Sequence, residues 1–175
     1  MTSLVAPDVR RWRRWVAMLE DFGGPKEMHG SGHWNLSHDP IPTEAGCAEF
    51  VAMTELTSAA DLDGTRVRSS YFWVAAGDGS DGDDLVGFLN LRHTLNAFLL
   101  EEGGHIGFSV KPSARRLGHA SAALALGVRE AAGLGIARVL VTCDVDNEPS
   151  RLTIERNGGV REDERNGKLR YWITT

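Results

Sequence analysis

At 175 residues, 42% hydrophobic and 25% charged, the chain suits one soluble globular domain, or a domain with a small annex, and excludes a disordered or fibrous protein. A net charge of -5, from 24 Asp and Glu against 19 Lys and Arg, argues against wrapping nucleic acid or lying on an anionic membrane, and leaves room for a local basic pocket. Cys47 and Cys143 are too few and too far apart for a disulfide framework or a cysteine zinc site and read as reduced cytosolic residues.

Residues 1–7 lack the apolar stretch of a signal peptide, and the most apolar run, 120–128, falls short of the about 20 residues that a membrane span needs, so a cytoplasmic location is expected. Over residues 8–22, Trp12, Trp15, Val16, Leu19 and Phe22 recur at helical spacing. The run from Arg10 to Trp15 resembles a basic and aromatic nucleic-acid or membrane segment. The periodicity favours tryptophans in the core and arginines in solvent.

Residues 26–42 read as a loop, and a second helix is expected over 43–57, with Thr43 as its N-cap and Ala48, Val51, Ala52 and Leu56 among its buried residues. Strands follow at 70–76 and 85–93. The aspartate-rich 77–84 between them lacks the ligand order and closing glutamate of a calcium loop, so a solvated hairpin turn is the better reading. A strand at 105–110, a helix at 118–134, a strand at 138–143, a helix at 149–156 and a closing hairpin across Asn166-Gly167 complete the chain. Antiparallel strands followed by a strand-helix-strand crossover indicate an α+β fold with a mixed sheet.

The chemistry concentrates in residues 110–121. A glycine at a helix start lets backbone N–H groups approach an anion, and Lys111, Arg115 and Arg116 add cations with no acid among 111–120. This is a polyphosphate cradle, and it is neither a Walker loop nor a dinucleotide fingerprint.

Arg115-x-x-Gly118-x-Ala120, between a strand and a helix, resembles the pyrophosphate-binding signature of the GNAT superfamily of N-acetyltransferases. Asn90-Leu91-Arg92-His93, Gly103-Gly104-His105-Ile106-Gly107-Phe108, Cys143-Asp144-x-Asp146-Asn147 and Ile154-Glu155-x-Asn157-Gly158-Gly159 are similar to patterns of a bacterial subgroup of that superfamily. The resemblance covers about residues 70–175 well and the first 70 loosely. It implies a GNAT-like α+β fold: a central mixed, mostly antiparallel sheet of roughly six to seven strands with helices on both faces. Residues 1–175 would form one domain, with 1–60 a helical acceptor-side part and 65–175 the cofactor-binding core.

The implied reaction is transfer of an acetyl group from acetyl-CoA, the acyl-donor substrate, to a primary amine of a small molecule or peptide by direct attack in a ternary complex. No metal, nucleic acid or membrane is called for, and a homodimer is left open by relatives that pair. The pantetheine would lie where the strand ending at Val110 splays from the one ending at Cys143, bonding the backbone of Phe108 and Val110. Arg115, Arg116, Leu117, Gly118, His119, Ala120 and Ser121 would hold the pyrophosphate, with Asn147 and Ser150 reaching the pantetheine arm. The Phe108 N–H is the implied oxyanion donor, and His105 falls where some members carry a catalytic glutamate. His93 is the second choice for the base and, with His33 and Trp34, a candidate for acceptor binding.

The tyrosine that many members use as general acid has no counterpart, since Ile154 occupies its position, and Ser150, Tyr171 or water would replace it. That absence keeps a non-catalytic acyl-CoA-binding sensor as the alternative. A metal site from His29, His33 and His38 has no recognised spacing, and acceptor contact or a plain surface loop reads better there.

Overall fold

The computed structural model describes residues 1–24, 28, 31–59 and 66–175. Four strands, β1 (Ser3–Val5), β2 (Ser69–Ala76), β3 (Asp84–Arg92) and β4 (Ile106–Val110), form one antiparallel sheet in that order. In the second sheet β5 (Arg138–Asp144), β6 (Val160–Arg165) and β7 (Lys168–Thr174) pair antiparallel, with β7 central. The helices are α1 (Trp12–Phe22), α2 (Glu44–Ala59), α3 (His119–Gly133) and α4 (Glu148–Arg156). Among the described residues, no helix is long and apolar enough to cross a membrane.

Aromatic and β-branched side chains carry β2, and β3 is buried along almost its whole length because helices cover both of its faces. Leu89 and Leu91 enter a core with Ala123 and Leu124 of α3, Val139 and Val141 of β5 and Ile154 of α4. Phe88 enters a second core with Trp15, Met18 and Phe22 of α1 and Cys47, Phe50 and Met53 of α2. The Asn166-Gly167 turn takes φ of 49° and 74°, the left-handed pair that a two-residue hairpin requires.

Three expectations change. The N-terminal segment contributes a strand as well as helices, since β1 pairs with β2 from Ser3↔Ala75 to Val5↔Trp73. Thr43 does cap α2, its Oγ1 accepting from Gly46 N–H at 3.1 Å, but Cys47, Phe50, Met53 and Thr57 face inward while Ala48, Ala52 and Leu56 are exposed. Arg11 is buried, not solvated, and pins the aspartate-rich turn by donating to Gly79 O (2.6 Å), Ser80 O (3.1 Å) and Asp81 Oδ1 (3.0 Å).

The crossover β4–α3–β5 leaves β4 and β5 as edges of their own sheets. They meet where His105 N–H donates to Leu140 O at 2.7 Å and Leu140 N–H donates to His105 Nδ1 at 2.9 Å. Gly104, just before this contact, has φ of 63°, and a Cβ there would stand 2.6 Å from Leu140 O. Only glycine allows the sheets to approach so closely at this point.

Candidate active site

Beyond the His105–Leu140 contact the two edges diverge around a cleft of about 930 Å³. At one end it is lined by Val110, Arg115, Ala120, Asn147 and Ser150, and at the other by Asn35, Tyr71, Asn90, Arg92, Asn96, Phe98 and Glu102.

The pairing of β4 decides which of its groups face the opening. Arg92 N–H donates to His105 O and Lys111 N–H to Val86 O, each at 2.8 Å, and the register between them is unbroken. With a period of two, Gly107 and Ser109 also bond toward β3. The backbone N–H and C=O of Ile106, Phe108 and Val110 therefore point to the other edge, into the divergence. Arg115 Nε reaches Val110 O at 3.1 Å, tying the cradle to the strand end.

In the cradle, Arg115 is extended, Arg116 has φ of 62° and Gly118 φ of 85°, and α3 then begins. This sharp reversal delivers the helix N-terminus to the cleft. Ala122 N–H closes on Gly118 O at 3.0 Å, so the preceding N–H groups of His119, Ala120 and Ser121 have no carbonyl inside the helix, and the helix dipole adds positive potential there. Arg116, Leu117 and Gly118 are exposed at this turn. The His119 ring turns away to Thr2 Oγ1 at 2.9 Å, and Ser121 Oγ accepts from Asn157 Nδ2 at 3.0 Å. Lys111 is no part of the cradle, being buried with its ammonium 2.7 Å from Asp84 Oδ2. Asn147 caps α4, its Oδ1 accepting from Ser150 N–H at 3.1 Å.

The histidines read differently in three dimensions. His105 is buried, its ring lies against Trp172 and outside the residues lining the cleft, and Nδ1 is occupied by Leu140 N–H. Burial, aided by the Arg92 charge, pushes its pKa down to about 4, so the neutral ring carries its proton on Nε2 and offers no lone pair to an amine. The expected base is a fastener between sheets.

His33 is a core residue as well, packed edge-on to Phe50 and Phe88 at 4.8 and 5.3 Å, with its pKa pushed down to about 3 by burial. It is buried and outside the cleft lining, away from where an acceptor would enter. His93 binds Ser70 Oγ through Nε2 at 2.8 Å and is also outside the lining. The Trp34 side chain and His29 lie outside the described residues. His38 pairs with Glu49 at 3.0 Å, and among the described residues no His, Cys, Asp or Glu group is arranged to hold a metal. Ile154 is buried in the core, and Tyr171, donating to Glu155 Oε1 at 3.0 Å, is buried outside the cleft lining.

Sequence reasoning missed Tyr71, Asn35 and Glu102, and it met Asn90 and Arg92 only as part of a pattern. The signal for Asn90 and Arg92 is two polar residues at alternate positions after the apolar run at 85–89 of β3.

A family model described as the acetyltransferase (GNAT) family matches residues 38–158. No curated protein is similar enough in sequence to match. Among solved structures, Mycobacterium smegmatis RimJ in complex with CoA-disulfide is similar at 19% identity and a TM-score of 0.65, over 99% of this chain and 82% of that one. A Vibrio cholerae spermidine N-acetyltransferase in complex with CoA and spermine is similar at 15% identity and 0.61, over 99% and 95%. A Salmonella typhimurium acetyl transferase that modifies the N-terminal serine of ribosomal protein L7/L12 is similar at 16% identity and 0.62, over 99% and 95%.

Proposed function

The chain belongs to the GNAT family of acetyltransferases, and from that premise we propose that it transfers the acetyl group of acetyl-CoA to a primary amine, with donor and acceptor bound together. The observation that carries this reading is the outer edge of β4, whose Phe108 and Val110 N–H groups face the cleft with no strand opposite them among the described residues. A pantetheine arm carries amide groups that can pair with such an edge as an added strand would.

The residues present fit the donor. The backbone N–H groups from Leu117 to Ser121 and the Arg116 guanidinium would bind the pyrophosphate, and the Asn147 amide and Ser150 hydroxyl would bind the pantetheine. The Phe108 N–H would polarise the thioester carbonyl and hold the negative charge that develops on its oxygen.

The amine must lose a proton, its ordinary pKa being near ~10. With His105 committed to the sheet junction, Glu102 is the carboxylate lining the acceptor end, and the proton leaves toward it through water. The nitrogen forms the amide bond as the carbon–sulfur bond breaks. A thiol pKa near ~8.5 lets the sulfur depart as thiolate without a tyrosine donor.

The acceptor is a small molecule or a peptide that carries a primary amine. Solved neighbours from bacteria support a bacterial enzyme, and the unpaired state of Cys47 and Cys143 supports a cytoplasmic one. The test is CoA-thiol release from acetyl-CoA across a panel of amines. Release that depends on one amine class is expected, whereas tight acetyl-CoA binding without release to any amine identifies an acyl-CoA sensor instead.

A further inference from the structure

Among the polar groups at the acceptor end, Asn90 stands out because the fold leaves it unsatisfied. It lies in the middle of β3, between its register partners Tyr71 and Gly107, and is 1% exposed. Strand alternation sends Leu89 and Leu91 into the α3 core and puts Asn90 on the opposite face with Phe88. Asn90, Tyr71 and Gly107 all line the cleft, and Gly107 brings no side chain over the amide. Among the described residues, Asn90 Oδ1 has no hydrogen-bond partner.

A buried carbonyl oxygen without a donor opposes folding, and one that lines a cleft can be satisfied by a donor that enters it. Next to it, the Tyr71 hydroxyl accepts from Asn35 Nδ2 at 2.6 Å, which fixes the phenol and leaves its own proton to donate. One acceptor and one donor thus stand side by side on the cleft floor.

The charges around them narrow the ligand. Among the described lining residues the acids are Glu102, which accepts from Asn166 Nδ2 at 3.1 Å, and Asp144, which pairs with Lys168. Arg66 and Arg92 line the same end as Glu102. An extended polycation would meet guanidinium groups there instead of an acidic wall.

We propose that Asn90 Oδ1 receives an N–H of the acceptor amine, that Tyr71 donates to a carbonyl or carboxylate beside it, and that the acceptor is an amino acid or peptide N-terminus, not a polyamine. The inference rests on the acetyl-transfer reading and goes beyond it in naming the acceptor group. Holding the amine through its hydrogen leaves the nitrogen lone pair free for the thioester carbon.

The test uses the full chain with acetyl-CoA and alanine amide, the dipeptide Ala-Ala or spermidine as acceptors, read by CoA release, acetyl-CoA affinity and Tm. Wild-type protein is expected to turn over the amide or dipeptide in preference to spermidine. Asn90→Leu is expected to raise the acceptor KM about tenfold or more, the factor expected for one lost hydrogen bond to a charged group. It should leave acetyl-CoA affinity unchanged and hold or raise Tm, because it removes an oxygen that had no partner. Asn90→Ser, smaller and still polar, serves if the leucine variant does not fold and should show the same KM rise. Tyr71→Phe should raise the KM for Ala-Ala as well.

An unchanged acceptor KM in the Asn90 variants overturns the proposal, as does a preference for spermidine. A sharp fall in Tm with turnover intact overturns it too, by making Asn90 structural. If wild-type protein releases CoA to none of the acceptors, the proposal and the acetyl-transfer reading fall together; if it turns over and only the Asn90 variants behave like wild type, this proposal alone falls.

Discussion

His105 and Leu140 exchange a reciprocal pair of hydrogen bonds: the His105 N–H gives to the Leu140 carbonyl at 2.7 Å, and the Leu140 N–H returns one to the imidazole Nδ1 at 2.9 Å. The ring that chain position marks as a base thus satisfies a backbone donor of the neighbouring sheet. His105→Ala is expected to cost about 1–3 kcal/mol through that orphaned donor and to leave both limbs of the pH–rate profile in place. Loss of a limb, measured as kcat/KM against pH, would restore the imidazole to a chemical role.

Stability should fall in mild acid. His33 and His105 have folded pKa values pushed down to about 3 and about 4 from an ordinary 6.5. Below pH 6.5 the unfolded chain takes up protons at both positions that the folded chain refuses, so the neutral rings favour the fold fully above that pH and progressively less below it. At pH 5 the loss is about 2 kcal/mol for each ring. Urea unfolding at pH 7 and pH 5 measures it, and His33→Phe, suited to the surrounding Trp15, Phe50 and Phe88, should remove about half of the difference. An equal difference in the variant would show that His33 titrates normally.

The cradle separates strain from charge. Gly118 has φ of 85°, and among the described residues beyond its chain neighbours no atom lies within 4 Å of the place a methyl group would take, so Gly118→Ala should cost about 1–2 kcal/mol of backbone strain alone. Gly118→Glu adds an anion where a pyrophosphate would sit and is expected to lower acetyl-CoA affinity more than a hundredfold, measured by calorimetry. Undiminished affinity would dismiss the cradle.

Arg170 is buried in β7 and binds Asp163 at 2.6 Å, Glu162 at 2.9 Å and the Leu100 carbonyl at 3.1 Å. It fastens the turn at Leu99–Gly103, which carries Glu102, to the second sheet. Removing it takes a partner from the Leu100 carbonyl and from Glu162 while Asp163 keeps Arg165, so Arg170→Ala should cost about 1.5–3 kcal/mol. The acceptor KM should rise with no change in acetyl-CoA affinity; a matching loss of donor affinity would contradict the division of the cleft into two ends.

How far the chain could be read without coordinates depended on the range of each interaction. Local devices were legible: the Thr43 cap, the Asn166-Gly167 turn and the glycine before α3 act within a few residues. The buried face of α2 was not, because apolar residues surround that helix and periodicity cannot choose between Ala48, Ala52 and Leu56 on one side and Cys47, Phe50 and Met53 on another. Three residues of β1 are too few to show alternation. His105, His33 and Lys111 were misread for a common reason, in that each is neutralised or enclosed by a partner distant in sequence: Leu140, Phe88 and Asp84. The Arg11 pin on the 77–84 turn is another such partnership.

The close approach at Gly104 makes that residue the spacer that sets the throat of the cleft. A methyl group there would act as a wedge at the apex of a V, and a shift of a few tenths of an ångström at the apex grows along the arms. The width of the cleft is therefore set from a position outside its lining, and a residue at the tip of the fork governs the gap between the tines.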